Sequence, residues 1–325
     1  MKAIRCKSYG PPSNLVLEEI DTLHAGNKEV VVQVKACGLN FPDTLIIQGL
    51  YQFKPELPFT PGSDISGIVK EVGEGISHLK AGDEVFGFVA HGGLAEEVIV
   101  PGNACFLKPP QMDFPTAASF MMAYGTSYHA LKDRAKLMES ETLLVLGASG
   151  GVGLAAVELG KLMGVNVIAA ASTDEKLSLC KEYGADELIN YTTQDLKSTL
   201  KEITGGKGVD VVYDPVGGDF SEQALRGTAW NGRFLVVGFA AGNIPKIPLN
   251  LPLLKGASIV GVFWGGFAMK YPKENMANTM ALVKWYAEGK LKPHIHKVVA
   301  LEETMEALQE MMDRKVRGKM VVQIG

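Results

Sequence analysis

What the chain lacks narrows it first. Its 325 residues hold only four cysteines, Cys6, Cys37, Cys105 and Cys180, none near another in sequence and none in a Cys-x-x-Cys pair. Disulfide frameworks and cysteine-rich zinc loops announce themselves by clustered spacing, so reduced thiols in or near a core are expected. There is no excess of positive charge: the net charge is -4. Binding to phosphate backbones calls for a basic face, so no nucleic-acid partner is expected. The glycine-rich uncharged stretch Thr142 to Val157 is only 16 residues long, whereas a membrane span needs roughly 20 predominantly apolar ones. The start, Met1-Lys2-Ala3-Ile4-Arg5, leads into an alternating stretch and not a signal peptide. These absences leave a soluble, cytoplasmic protein as the expectation. What is present is ample apolar material: 46% hydrophobic residues over this length suffice for one large or two ordinary cores.

The first third is rich in strand-type runs: Glu29 to Ala36, Ile65 to Val72 and Glu84 to Phe88, punctuated by Pro61-Gly62, Gly73, Gly75, Gly82, Gly92-Gly93 and Pro101-Gly102. Many short strands with turns between them predict a barrel-like all-β unit. From about residue 115 the pattern changes. Pro115 to Leu137 has helical spacing, and strands then alternate with helices: Leu143 to Leu146, Gly151 to Met163, Val165 to Ala170, Glu175 to Tyr183, Glu187 to Asn190, Leu196 to Thr204, Val209 to Tyr213, Phe220 to Ala229 and Arg233 to Val237. Strands alternating with helices of about ten residues predict βαβ units and a parallel sheet. After Gly261 the alternation stops. A helix from about Lys273 to Glu288, a run from Leu291 to Val299, a helix near Leu301 to Asp313 and a strand Lys319 to Ile324 form a tail too small for a domain, expected to pack back on the first unit.

The turn Ala148-Ser149-Gly150-Gly151-Val152-Gly153 lies between a predicted strand and a predicted helix. In that context glycines let backbone amides approach a pyrophosphate, and the helix N-terminus offers N–H groups and partial positive charge. Ala148 replaces the first glycine of G-x-G-x-x-G, so the match is imperfect, but the βαβ units that follow support dinucleotide binding. At the end of the second strand an NAD site places an acid for the ribose hydroxyls. Here the sequence is Ala171-Ser172-Thr173-Asp174-Glu175-Lys176. With Ala171 where the acid belongs, and Ser172 and Lys176 following, no carboxylate repels a 2′-phosphate and one ammonium can hold it. NADPH is the expected cofactor. The competing reading makes Lys176 a solvated helix residue and gives the ribose to Asp174 or Glu175.

Taken together, the cradle, Gly38-Leu39-Asn40-Phe41-Pro42-Asp43, Gln48-Gly49-Leu50-Tyr51, Pro61-Gly62-Ser63-Asp64-Ile65-Ser66-Gly67, Ala81-Gly82-Asp83-Glu84-Val85 and Asp214-Pro215-Val216-Gly217-Gly218 resemble the medium-chain dehydrogenase/reductase superfamily, in its zinc-free quinone oxidoreductase (zeta-crystallin-like) branch. The resemblance runs over essentially the whole chain. It implies an α/β protein in which a GroES-like β-barrel catalytic domain, residues 1–122 completed by 263–325, carries an inserted Rossmann domain with a doubly wound parallel sheet, residues 123–262. Zinc-dependent relatives place a ligand cysteine where this chain has Asn40, a ligand histidine at Ser63, a glutamate at Asp64 and a further cysteine near Met122. Three ligands of His, Cys or carboxylate type make a catalytic zinc site; Asn, Ser and Met do not, so no metal is expected. His294 and His296 form an H-x-H pair without an identifiable third ligand; His91 reads as a loop residue and His129 as packing.

The resemblance further implies an NADPH-dependent reduction of a quinone or electrophilic enone. It places Thr126 by the nicotinamide ribose or diphosphate, Tyr191 and Arg314 near the 2′-phosphate, and Gly238-Phe239-Ala240 and Phe263-Trp264 beside the nicotinamide. Asn40 is assigned to the cofactor ribose or nicotinamide. Tyr51 sits in a motif similar to that of enoyl-thioester reductases, where the matching tyrosine is catalytic; it is either a proton donor and substrate-positioning group or a wall residue. The stretch Val260 to Phe267 resembles the segment through which family members pair their sheets, implying a homodimer. Two other readings stay open: reduction of enoyl-CoA or enoyl-ACP, and a non-enzymatic cofactor-binding role.

Overall fold

A computed structural model describes all 325 residues. The chain divides into two compact units, Met1–Met122 with Pro293–Gly325, and Ala123–Lys292.

The first unit opens with a ribbon of β1 (Lys2–Cys6) and β2 (Leu15–Glu19). Then come β3 (Glu29–Leu39), α1 (Phe41–Ile46), β4 (Asp64–Val72), β5 (Glu84–Phe88), β6 (Glu97–Pro101), β7 (Cys105–Leu107) and α2 (Phe114–Ala118). The second unit contains a helical turn α3 (Thr126–Tyr128), β8 (Thr142–Leu146), α4 (Gly151–Leu162), β9 (Asn166–Ala171), α5 (Asp174–Glu182), β10 (Glu187–Asn190), α6 (Leu196–Ile203), β11 (Val209–Asp214), α7 (Asp219–Arg226) and β12 (Thr228–Val236). It ends with α8 (Asn250–Lys255), β13 (Ser258–Gly261), α9 (Trp264–Lys270) and α10 (Pro272–Ala287). The chain returns to the first unit through β14 (Ile295–Ala300), α11 (Thr304–Met312) and β15 (Lys319–Gln323).

The first unit is built on a seven-stranded sheet in the order β14-β15-β3-β4-β5-β7, with β6 also paired to β3. The C-terminal tail therefore supplies two strands, and β15 lies antiparallel to β3 with Met320 opposite Leu39. Its core gathers Val30, Val32, Ile65, Val85, Met320 and Val322, all essentially inaccessible.

The second unit is a parallel six-stranded sheet in the order β10-β9-β8-β11-β12-β13. Chain order runs outward from β8 in both directions, the doubly wound arrangement. β8 reads as an uninterrupted apolar run because a parallel strand with helices on both faces is buried on both; Leu143, Leu144, Val145 and Leu146 have no exposure.

Two expectations are corrected. Residues 263–292 do not join the tail on the first unit. Trp264 packs against Gly125, where a Cβ would come within 2.8 Å of the indole. Trp264 Nε1 donates to Asn275, Lys132 and Asp133 bond Asn278, and Trp285 meets Tyr128 edge-on. Packing partners, not the end of the alternating pattern, decide the boundary. The helix read as Phe220 to Ala229 stops at Arg226, because Gly227 caps it and Thr228 opens β12.

Candidate active site

In the second unit the candidate segments gather at the carboxyl ends of the central strands, the edge where open α/β sheets take ligands. The segment 147–153 follows β8, Ser172 to Lys176 follow β9, Asp214 to Gly218 end and follow β11, and Val237 to Ala241 follow β12. The last two are tied together: Gly238 N donates to Asp214 O, Ala240 N to Pro215 O and Ala241 N to Val216 O.

The cradle's glycines have different reasons. Gly147 has φ +57°, so the turn glycine stands one residue before the position where the sequence motif seeks it. A Cβ on Gly153 would lie 2.3 Å from Gly147 O, so helix α4 can approach the strand end only without one. Gly150 caps α4 with φ -77°, and a Cβ there would meet nothing nearer than 3.4 Å. The protein's own packing does not demand a glycine at 150; an approaching ligand would. Gly151, Val152 and Gly153 form the first turn of α4, whose leading amides have no intrahelical acceptor. Ala148 and Ser149 are buried beneath, and Ser127 of the turn carrying Thr126 donates to Val152 O at 2.8 Å.

At the end of β9, Ala171 is buried, and Lys176 Nζ donates to Ser172 Oγ at 3.2 Å. Asp174 is held by Asn190 Nδ2 at 2.7 Å, which engages that carboxylate with the protein. Tyr191 follows β10 and leans on Phe220 with ring centroids 4.3 Å apart. Of the remaining residues expected near the nicotinamide, Phe263 is exposed, whereas the Trp264 indole is buried with its N–H bonded to Asn275. Arg314 belongs to the first unit, at the turn after α11.

The first unit holds the other group. In the sheet order β15-β3-β4, Lys319 opens β15, Asn40 follows β3, and Asp64 opens β4 opposite Gly38. The three side chains are buried and joined. Lys319 Nζ donates to Leu39 O at 3.0 Å, to Asn40 Oδ1, and to Asp64 Oδ2 at 3.3 Å. Asn40 Nδ2 donates to Gly38 O and to Asp64 Oδ2, both at 3.2 Å, and Met122 N donates to Asp64 Oδ1 at 3.0 Å. Burial raises the Asp64 carboxyl, opposed by Lys319 and by bonds from Asn40 and Met122. Asp43 in α1 accepts from Asn40 N at 2.7 Å, and burial pushes its carboxyl up to about 7. Tyr51, half-buried against the core after α1, has its phenol raised by burial and then by Asp43. The Ser63 hydroxyl is buried without a hydrogen-bond partner.

Asn40, Ser63 and Met122 supply no zinc-type donor set, the carboxylate beside them is taken by an ammonium, and no group of three His, Cys, Asp or Glu side chains is placed to hold an ion. The residues do not fit a metal. Sequence reasoning missed Lys319 altogether; a lysine opening the last strand carries no local motif. A depression of about 520 Å³ in the second unit is lined by Glu158, Lys161, Tyr183 and Lys292, none of them among the residues above, and both Glu158 oxygens are engaged there by Tyr124 and the Lys292 amide.

Comparison with known proteins matches this layout. A family model described as alcohol dehydrogenase GroES-like domain covers residues 26–110, and one described as zinc-binding dehydrogenase covers 151–285. The quinone oxidoreductase-like protein 2 homolog of Nematostella vectensis is 41% identical, over 99% of this chain and 88% of its own. The chain belongs to the quinone oxidoreductase branch of the medium-chain dehydrogenase/reductase superfamily. The quinone oxidoreductase of Rattus norvegicus is 33% identical over 99% of this chain and 97% of its own. The crystal structure of Escherichia coli quinone oxidoreductase complexed with NADPH superposes with a TM-score of 0.95 at 30% identity, covering all of both chains. Membership in this branch makes the protein an oxidoreductase with a GroES-like unit and a Rossmann-type parallel sheet. No helix is long and apolar enough to cross a membrane.

Proposed function

We propose that the protein is an NADPH-dependent reductase of quinones or related electrophilic enones. The observation that carries this is the end of β9: buried Ala171 where an NAD site wants an acid, with Lys176 and Ser172 bonded to one another beside it and Asp174 engaged by Asn190. A charge-assisted bond from Lys176 to a 2′-phosphate is worth roughly 1.5–3 kcal/mol, about tenfold to a hundredfold in affinity. The cradle at 147–153 takes the diphosphate on the amides of α4. Thr126, Gly238, Phe239, Ala240 and Phe263 are read as lining the nicotinamide half, and Tyr191 and Arg314 as attending the adenosine phosphate.

When bound, NADPH would supply hydride, which a quinone accepts without a Lewis acid. Oxygen then gains negative charge and needs a donor. Tyr51 fits that task. A tyrosine phenol is protonated at neutral pH and can donate, and burial shifts Tyr51 further in that direction. Asn40, immobilised in the buried cluster, is read as contacting the cofactor.

The purified protein should oxidise NADPH with 1,4-benzoquinone much faster than with crotonyl-CoA, and faster than it oxidises NADH. A preference for crotonyl-CoA would move the assignment to enoyl-thioester reduction, and NADPH binding without turnover of either acceptor would leave a non-enzymatic role. Ala171→Asp should swing the cofactor preference toward NADH; an unmoved ratio would break the assignment of Ser172 and Lys176.

The proposal includes a homodimer. β13 is an edge strand paired only with β12, and Ile259, Trp230, Leu253 and Leu254 expose apolar surface on or near it. Open edges pair with further strands. Ile259→Pro, at a position whose N–H faces away from β12, should convert a dimer measured by light scattering into a monomer.

A further inference from the structure

We infer that Lys319 is a positioning residue, which sets the amide orientation of Asn40 through the buried Asn40–Asp64–Lys319 cluster. The inference rests on the proposed role of Asn40 at the cofactor and deepens it.

An asparagine amide is nearly symmetric in shape, and its two orientations differ only in which end donates. At Asn40 the ambiguity is removed from one side. Lys319 has only N–H groups to offer, so the atom it faces must be Oδ1. Turning the amide over would point its N–H bonds at an ammonium. The Nδ2 end is then fixed by two acceptors, Gly38 O and Asp64 Oδ2. Lys319 in turn has three donors and three acceptors, Leu39 O, Asn40 Oδ1 and Asp64 Oδ2, which leaves it none for a ligand. It acts only through Asn40. Both Asn40 amide hydrogens are engaged as well, so its remaining capacity is the second lone pair of Oδ1. Asn40 therefore meets a cofactor as an acceptor, from a ribose hydroxyl or the carboxamide N–H of the nicotinamide, and not as a donor.

The sheet explains why the arrangement is stiff. Lys319, Asn40 and Asp64 stand at one end of three adjacent strands, β15, β3 and β4, so their spacing is set by backbone ladders. Asp64 is 1% and Lys319 5% exposed, which makes a rearrangement that leaves either charge unpaired costly.

The test separates orientation from mere stability. Lys319→Met alone strands the Asp64 charge, so the variant to use is the charge-neutral pair Lys319→Met with Asp64→Asn. Its melting temperature should stay near that of the wild type. Its NADPH dissociation constant, read by quenching of protein fluorescence, should rise about threefold to tenfold, the loss of one oriented hydrogen bond. Asn40→Ala should cause a similar rise, and combining all three changes should add nothing further. Wild-type affinity in the charge-neutral pair, or full additivity with Asn40→Ala, would overturn the inference while leaving the NADPH reading intact. Failure of the wild type to bind NADPH would remove that reading and the inference with it. On the wild-type protein, both Asn40 side-chain N–H groups, bonded to Gly38 O and Asp64 Oδ2, should be protected from solvent exchange in NMR spectra; exchange as fast as that of an exposed asparagine would overturn the inference even if the variants do not fold.

Discussion

The two groups of functional residues are built on opposite plans. In the second unit, the proposed binding capacity comes from backbone and from missing side chains: amides at the head of α4, a glycine at 153 that permits close approach, and an alanine at 171 where a carboxylate is absent. Each piece lies within a few residues of a strand end. In the first unit, the cluster is made of charged and amide side chains from positions 40, 64 and 319, joined only because β15, β3 and β4 are neighbours. A contiguous turn can be recognised in sequence and tolerates distant change. An assembled cluster cannot be recognised, and it fails when any one member is lost.

That contrast can be broken by experiment. The largest effect is expected in the assembled cluster. Asp64→Asn alone leaves Lys319 buried without its counter-charge, and should lower stability by about 3–5 kcal/mol, measured by urea unfolding; a loss under 1 kcal/mol would mean that the cluster is not a unit. Within the cradle, Gly153→Ala should cost about 1–3 kcal/mol through overpacking against Gly147 O. Gly150→Ala should cost less than about 1 kcal/mol yet weaken NADPH binding more than it lowers the melting temperature. Equal effects of the two alanines on stability would erase the distinction drawn between a packing glycine and a ligand-facing one.

A smaller and sharper effect concerns Asp43. Below about pH 4 its carboxyl is protonated in folded and unfolded chains alike. Between its ordinary 3.8 and about 7 only the folded chain keeps the proton, so the stability it contributes declines as pH rises and is gone above about 7. Asp43→Asn is neutral throughout. Its melting temperature relative to the wild type should therefore climb from pH 5 to pH 8, and a pH-independent difference would show that burial does not hold the proton on Asp43. Tyr51→Phe should lower turnover while leaving NADPH affinity within about twofold, a smaller change than one lost hydrogen bond; unchanged turnover would make Tyr51 a wall of the site.

Most of the second unit was legible because buried parallel strands and amphipathic helices carry their period in consecutive residues. Glu187–Asn190 is read to the residue. The boundary at 263 was misplaced because α9 and α10 follow the last strand without further alternation; what ties them down is Gly125, a glycine inside a helical stretch whose reason is Trp264, 139 positions later in the chain. Asn40, Ser63 and Asp64 were singled out through their departures from zinc-dependent relatives. What those departures make room for was not visible, since Lys319 lies 255 positions from Asp64. The turn glycine at 147 was overlooked for a simpler reason: the motif fixes spacing, and the turn here closes one residue early.

The pairing of β15 with β3 also has a consequence for the order in which the molecule comes into being. Residues 123–292 are contiguous, so the parallel sheet can close as soon as α10 leaves the ribosome. The first unit emerges earlier but must wait, holding Asp64 and Asn40 without their cation, until the final strand is released. Of the two units, the one whose synthesis begins first is thus the second to mature.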